Sequence, residues 1–294
     1  LDEFINLTVA GLAEGAVFAA FALALVLIWR ATRVVNFAQG AMAVASAYIA
    51  YSVTNATNSY WLGLAAAIAS GAVLGAIVES GVMRWISDRS PTNVIIAAIG
   101  ITLVIEATLG MIYTNDYRPM DVPFSTSAFS VGNLALLSPF EIFTLLAIVV
   151  IVAGLGLFFG RTRMGLRLRA SAFAPEVSRL LGVKVGRMRT LGWMLAGGVG
   201  ALTALLVIPK TNGLNPSAMD LVFASSFTGA VLGGLDSPQG AVVGGLGVGL
   251  TLAYVTGYLP DGAHLSQVAV LVLLIGVLLV RPGGLFSGAA ARRV

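Results

Sequence analysis

Nine apolar stretches separated by short polar or charged segments run the length of this chain, at residues 4–28, 37–53, 61–82, 93–113, 140–159, 191–208, 221–235, 240–258 and 265–280. A helix needs about 20 mostly apolar residues to cross a hydrocarbon core of about 30 Å. The pattern therefore predicts an all-α polytopic membrane protein with eight or nine transmembrane helices, some short or broken, in one domain covering residues 1–294. Asp2 and Glu3 precede the first stretch and no basic segment does, so it reads as a transmembrane helix and not as a cleavable signal.

The 221–235 stretch is short and runs into Asp236-Ser237-Pro238-Gln239-Gly240. Two readings stay open. One is a broken or re-entrant helix lining a cavity. The other is a pair of short helices packed through Gly233, Gly234, Gly240, Gly244, Gly245 and Gly249 at small-xxx-small spacing. A similar choice surrounds residues 36–40, where Asn36 and Gln39 open the second stretch.

Charge placement sets the orientation. With the N-terminus outside, 15 of the 17 Lys and Arg residues fall in inner segments, and Arg118 and Lys210 alone lie outside. Cytoplasmic loops collect such residues, so the C-terminus is expected inside. Composition agrees with a membrane protein: 58% of residues are hydrophobic and 10% charged, against about 25% charged in a soluble domain. Trp61, Tyr60, Tyr113, Tyr117 and Tyr258 near span ends read as aromatic-belt anchors, and no pattern suggests nucleic-acid recognition.

Enzyme chemistry finds little support. The chain has no cysteine and one histidine, His264, so it offers neither a thiolate site nor a metal cluster built on histidine pairs. The two lysines, Lys184 and Lys210, follow no GxxxxGK[ST] pattern, so any ATP that powers this protein must be hydrolysed on another polypeptide.

The inner loop at residues 161–189 carries eight basic residues against one acidic, Glu176. Positive-inside bias and attraction to anionic lipid account for that charge. They do not account for its middle, where Pro175 occupies a first helical position, Glu176 the first turn, Arg179 the last, and Gly182 the position just past the end. Phe173, Val177 and Leu180 or Leu181 recur at helical spacing along it. That gives an oily face outside the membrane, which calls for a bilayer surface or a protein partner.

This loop, with Arg163-Met164-Gly165, Arg169-Ala170-Ser171-Ala172 and Glu176 followed by Leu180-Leu181-Gly182-Val183, resembles the cytoplasmic coupling loop of branched-chain amino acid ABC transporter permeases, the LivH/LivM group. Further blocks resemble the same family in its order. They are Gly11-Leu12 with Gly15, Val35-Asn36-Phe37-Ala38-Gln39-Gly40 leading to Ala47-Tyr48, the run from Ala230 to Ala241, and Arg281-Pro282-Gly283-Gly284-Leu285-Phe286. Length and the early asparagine motif favour the LivH-type subunit. Two positions depart from the pattern: Gln39, where members often have His, and Ser178, where they often have Ala.

The resemblance implies an importer subunit in a prokaryotic plasma membrane, moving branched-chain or other hydrophobic amino acids. It implies a second permease subunit of LivM type and two ATP-binding subunits docked on the coupling helices. It also implies an extracytoplasmic solute-binding protein, with ATP and Mg held by partners and no cofactor on this chain. Phe173, Pro175, Glu176, Val177, Arg179, Leu180, Leu181 and Gly182 would form the coupling helix. Permeases for urea or short amides share these blocks, and an ATP-independent channel or secondary transporter is the other alternative.

Three glutamates fall within predicted spans. Glu79, near an inner end, can meet Arg84 or the headgroups. Glu14 and Glu106 each fall about three residues outward of their span's midpoint, roughly 4 to 5 Å from the midplane. Each either faces the solute path, where it could meet an ammonium group, or is protonated and hydrogen-bonded between helices. Asn36 and Gln39 are the remaining polar candidates, as solute contacts, as bonds to another helix or, for Asn36, as a helix cap.

Overall fold

The computed structural model describes residues 2–86, 91–131, 134–135, 137–211 and 213–286. The helices begin with α1 (Asp2–Thr32), α2 (Gln39–Thr57) and α3 (Tyr60–Val78), which continues through a five-residue π turn (Glu79–Met83) into α4 (Arg84–Ile86). Next come α5 (Pro91–Tyr113), a two-residue antiparallel pair formed by β1 (Ser130–Val131) and β2 (Leu134–Ala135), and α6 (Pro139–Arg161). Then follow α7 (Arg163–Phe173), α8 (Pro175–Leu180), α9 (Val185–Val207), α10 (Asp220–Gly233), α11 (Pro238–Tyr258) and α12 (Gly262–Val280).

Each of the nine apolar stretches coincides with a helix, and the all-α reading holds. Among the described residues, six runs are long and apolar enough to cross a membrane: α1, the α3–α4 run, α5, α6, α9 and α11. Two more, α10 and α12, are apolar over shorter lengths, whereas α2 carries Gln39, Ser46, Tyr48, Ser52 and Thr54 along its length.

Contacts divide the chain into two compact units. The first comprises Leu1–Val26, Phe124–Ile148 and Ala224–Val294. Here helix backbones touch because glycine removes the side chains between them. A Cβ at Gly11 would lie 2.9 Å from Ala253 Cβ, and one at Gly15 would lie 2.8 Å from Leu246 Cα, so α1 rests directly on α11. Gly229 and Gly233 of α10 meet Gly240, Gly244 and Gly245 of α11 in the same way. Residues 221–249 thus form part of two helices, α10 and α11, packed through glycines, an arrangement compatible with both readings of this segment. The break between them has local causes. Gly234 takes φ +98°, Ser237 caps α11 by accepting a hydrogen bond from Gly240 N at 3.0 Å, and Pro238 occupies the first turn.

After α12 the chain returns to the end of α10. Leu285 N donates to Leu232 O (2.8 Å) and Phe286 N donates to Gly233 O (3.1 Å), while Gly284 at φ +87° lies against Gly234. Two distant sequence blocks, 230–241 and 281–286, thus form one piece of structure.

The second unit comprises Leu27–Pro123 and Val149–Phe223. Its centre is α2, buried from Gln39 through Val44 and packed against α3, α5 and α9. Helices α3 and α9 cross where Gly71 and Gly75 meet the backbone of Gly197 and Trp193. Tyr113, the last residue of α5, stacks on buried Tyr48 with ring centroids 4.4 Å apart. Its hydroxyl also lies 2.8 Å from Ser52 Oγ. Trp61, Tyr117 and Tyr258 are exposed.

Candidate functional site

The loop at residues 161–189 contains two helices where the sequence suggested one. Thr162 interrupts the backbone after α6 (φ −97°, ψ 149°), and its Oγ1 accepts a hydrogen bond from Gly165 N at 2.9 Å, capping α7. A Cβ at Gly165 would collide with Phe158 O, so glycine permits the sharp reversal between α6 and α7. Helix α7 is amphipathic and buries Leu168 and Ser171.

Phe173 is the last residue of α7 and not part of the following helix, which corrects its assignment to a single 173–182 helix. The break falls at Ala174 (φ −138°, ψ 76°), because the residue before a proline is driven out of the helical region. Pro175 then opens α8, Glu176 lies in its first turn and Arg179 in its last, as the sequence indicated. The helix ends in a Schellman closure: Gly182 at φ +78° donates from N to Arg179 O (3.0 Å), and Val183 N donates to Ser178 O (2.9 Å).

Helix α8 packs on α7 and α9 with Ser178 buried beneath it. Its apolar side chains point the other way. Phe173 is 79% exposed, Val177 55%, Leu180 88% and Leu181 78%. Four large apolar residues on two short helices in a basic loop form a surface made to be covered. The Glu176–Arg179 ion pair (2.9 Å) is exposed and adds little to stability.

The polar candidates divide by environment. Asn36 and Gln39 are both fully buried and bonded to protein. Asn36 Oδ1 accepts from Ala38 N (3.0 Å), an Asx-type turn that starts α2, and Asn36 Nδ2 donates to Gln39 Oε1 (3.0 Å). Gln39 Nε2 donates across to Ala196 O of α9 (2.9 Å), in space that a Cβ at Gly200 would fill. In this conformation the two amides join α2 to α9.

Glu14 is exposed on α1, within the first unit, and Glu106 is half-buried on α5, within the second. Glu106 lies within electrostatic reach of Asp220, the first residue of α10, which the sequence reading did not single out. An acidic residue opening an apolar run is a helix-start signal, and that role hid its proximity to a second carboxylate. Glu79 is fully buried, and Arg84 neutralises it through two hydrogen bonds at 2.7 and 3.2 Å. Arg118 pairs its backbone with Leu214 in both directions (2.9 and 2.8 Å) and donates from Nη2 to Tyr113 O at 2.7 Å.

Residues 7–279 match the family described as "Branched-chain amino acid transport system / permease component". The chain is 26% identical to the high-affinity branched-chain amino acid transport system permease protein BraD of Pseudomonas aeruginosa, over 100% of this chain and 98% of that one. It is 26% identical to the corresponding permease protein LivH of Escherichia coli, over 97% and 96% of the two chains. Among solved structures, PsaBC from Streptococcus pneumoniae in complex with Fab is similar in fold, with a TM-score of 0.53 at 14% identity over 96% of this chain and 93% of that one. The chain belongs to the family of permease components of branched-chain amino acid transport systems.

Proposed function

We propose that this multi-pass plasma-membrane permease is the LivH-type half of a heterodimeric ATP-driven importer for branched-chain and other hydrophobic amino acids. As a permease component it works with other subunits of its transport system. The observation that carries the ATP-driven reading is the outward-facing apolar set on α7 and α8, Phe173, Val177, Leu180 and Leu181, in a loop rich in basic residues. Such a surface fits the docking site of an ATP-binding subunit. The N-terminus is then extracytoplasmic, and the loop and C-terminus are cytoplasmic. A LivM-type permease completes the pair, a solute-binding protein delivers cargo, and two partner subunits hold ATP and Mg. The exposed apolar faces of α5 and α6, including Ile96, Leu103, Val104, Leu146 and Val150, suit lipid or the second permease.

Glu14, Glu106, Asn36 and Gln39 are the polar side chains proposed for the solute route, and the two amides must exchange their internal bonds to take part. The route has its own test: replacing Glu14 and Glu106 by glutamine is expected to lower leucine uptake at least about tenfold and to change its pH dependence. Unchanged uptake and pH profile in both variants would remove the two glutamates from the route.

The overall reading is tested by reconstituting the chain with its partner subunits in liposomes and following labelled leucine and urea. Leucine uptake that requires ATP is the expected result. Uptake of urea in place of leucine would overturn the cargo, and flux through the isolated chain without ATP would overturn the importer.

A further inference from the structure

Glu79 is a fully buried carboxylate in a helix that otherwise reads as membrane-spanning. On an α-helical face its neighbours would be the residues three and four positions on. Arg84 is five positions on, and the π turn brings the two together: Arg84 N donates to Glu79 O in the i to i+5 pattern. The guanidinium then donates from Nε to Glu79 Oε1 (3.2 Å) and from Nη2 to Oε2 (2.7 Å).

The carboxylate is also held from α9. Thr190 Oγ1 donates to Glu79 Oε2 (2.6 Å) and accepts from Arg84 Nη2 (2.8 Å), while Arg189 Nε stands 3.9 Å from Oε1. Both residues sit in the second turn of α9, just after α8 and its Gly182 closure. One turn further along, the glycine contacts of Gly71 and Gly75 with Trp193 and Gly197 hold α3 against α9 backbone to backbone. The ionic cluster therefore closes the α3–α9 seam at its loop end, where a displacement of α8 would first be felt.

Stability alone does not call for this arrangement. A buried ion pair is often no better than apolar residues of the same volume, and π turns are rare and frequent at functional sites. We propose that Glu79 is a positioning residue for transport: clamped by Arg84, Thr190 and Arg189, it passes movement of the loop helices to α3. Arg84 neutralises the charge, Thr190 supplies the link to α9, and the π turn supplies the register. This inference rests on the importer reading above.

The test uses the chain assembled with its permease and ATP-binding partners in liposomes, with leucine transported and ATP hydrolysed measured together. Thr190→Val keeps the side-chain shape and the Glu79–Arg84 pair but removes the hydrogen bond that ties Glu79 to α9, leaving Arg189 at 3.9 Å as the remaining contact. It is expected to lower leucine moved per ATP at least about fivefold, with hydrolysis within about twofold of wild type. Glu79→Gln should do the same, and if it fails to accumulate in the membrane, Thr190→Val still decides. A lowered thermal midpoint with an unchanged ratio, or a parallel fall in uptake and hydrolysis, would overturn the proposal as a purely structural or docking effect. Absence of ATP-dependent uptake in the wild-type assembly would overturn the importer reading itself, and this inference with it.

Discussion

Replacing Leu180 and Leu181 together by serine is expected to abolish ATP-driven uptake while leaving the chain as stable as before. Both side chains, at the end of α8 and just past it, are largely exposed, so the fold loses little when they go. If an ATP-binding subunit covers them, each contributes about 1.5 to 3 kcal/mol to docking. Losing both then weakens the association by roughly 10² to 10⁴. Uptake should fall at least about 100-fold, and ATP hydrolysis should lose its dependence on the permease. Leu168→Ser gives the contrast, because Leu168 is buried in α7 and its loss should lower the thermal midpoint as well as uptake. Wild-type uptake in the double serine variant would mean that the apolar face docks nothing needed for transport.

The helices were legible because membrane spans are written in composition, which survives any error of register. Helix α8 was legible for a different reason: proline, glutamate, arginine and glycine each occupy a position with its own electrostatic or backbone logic. Its neighbour α7 was not read, although Thr162 before Arg163 was an available cap and Gly165, Leu168 and Ser171 share a face. Dense arginines made the segment look merely basic.

The π turn left no mark on the apolar pattern, since one extra residue in a turn changes no hydropathy. The partnership of Glu79 with Thr190, 111 residues away, is invisible to any local pattern. Gln39 shows the same limit. Its position beside Asn36 was plain, but its bond to Ala196 O depends on Gly200 having no side chain.

The second large effect is expected at Gly197, where valine should prevent stable folding of the second unit. A single Cβ there already overlaps the carbonyl of Gly71 on α3, and valine adds two more carbons. The atom in the way is backbone, so no rotamer change can relieve it. Either the helices separate, which also pulls Gly75 from Trp193, or the substitution is refused. Overpacking of a well-packed core costs about 1 to 3 kcal/mol, and a backbone obstacle puts this case at or above the upper end. The thermal midpoint of the detergent-purified chain should fall sharply, with aggregated or poorly expressed protein as the extreme. Gly100 on α5 and Gly154 on α6, where nothing lies within 4 Å, should show the opposite order. Alanine at either is expected to be neutral or stabilising by up to about 1 kcal/mol, since glycine there contributes only conformational freedom. A Gly197→Val protein as stable as the wild type would mean that α3 and α9 do not meet backbone to backbone, and the route proposed from α8 to α3 would lose its rigid segment.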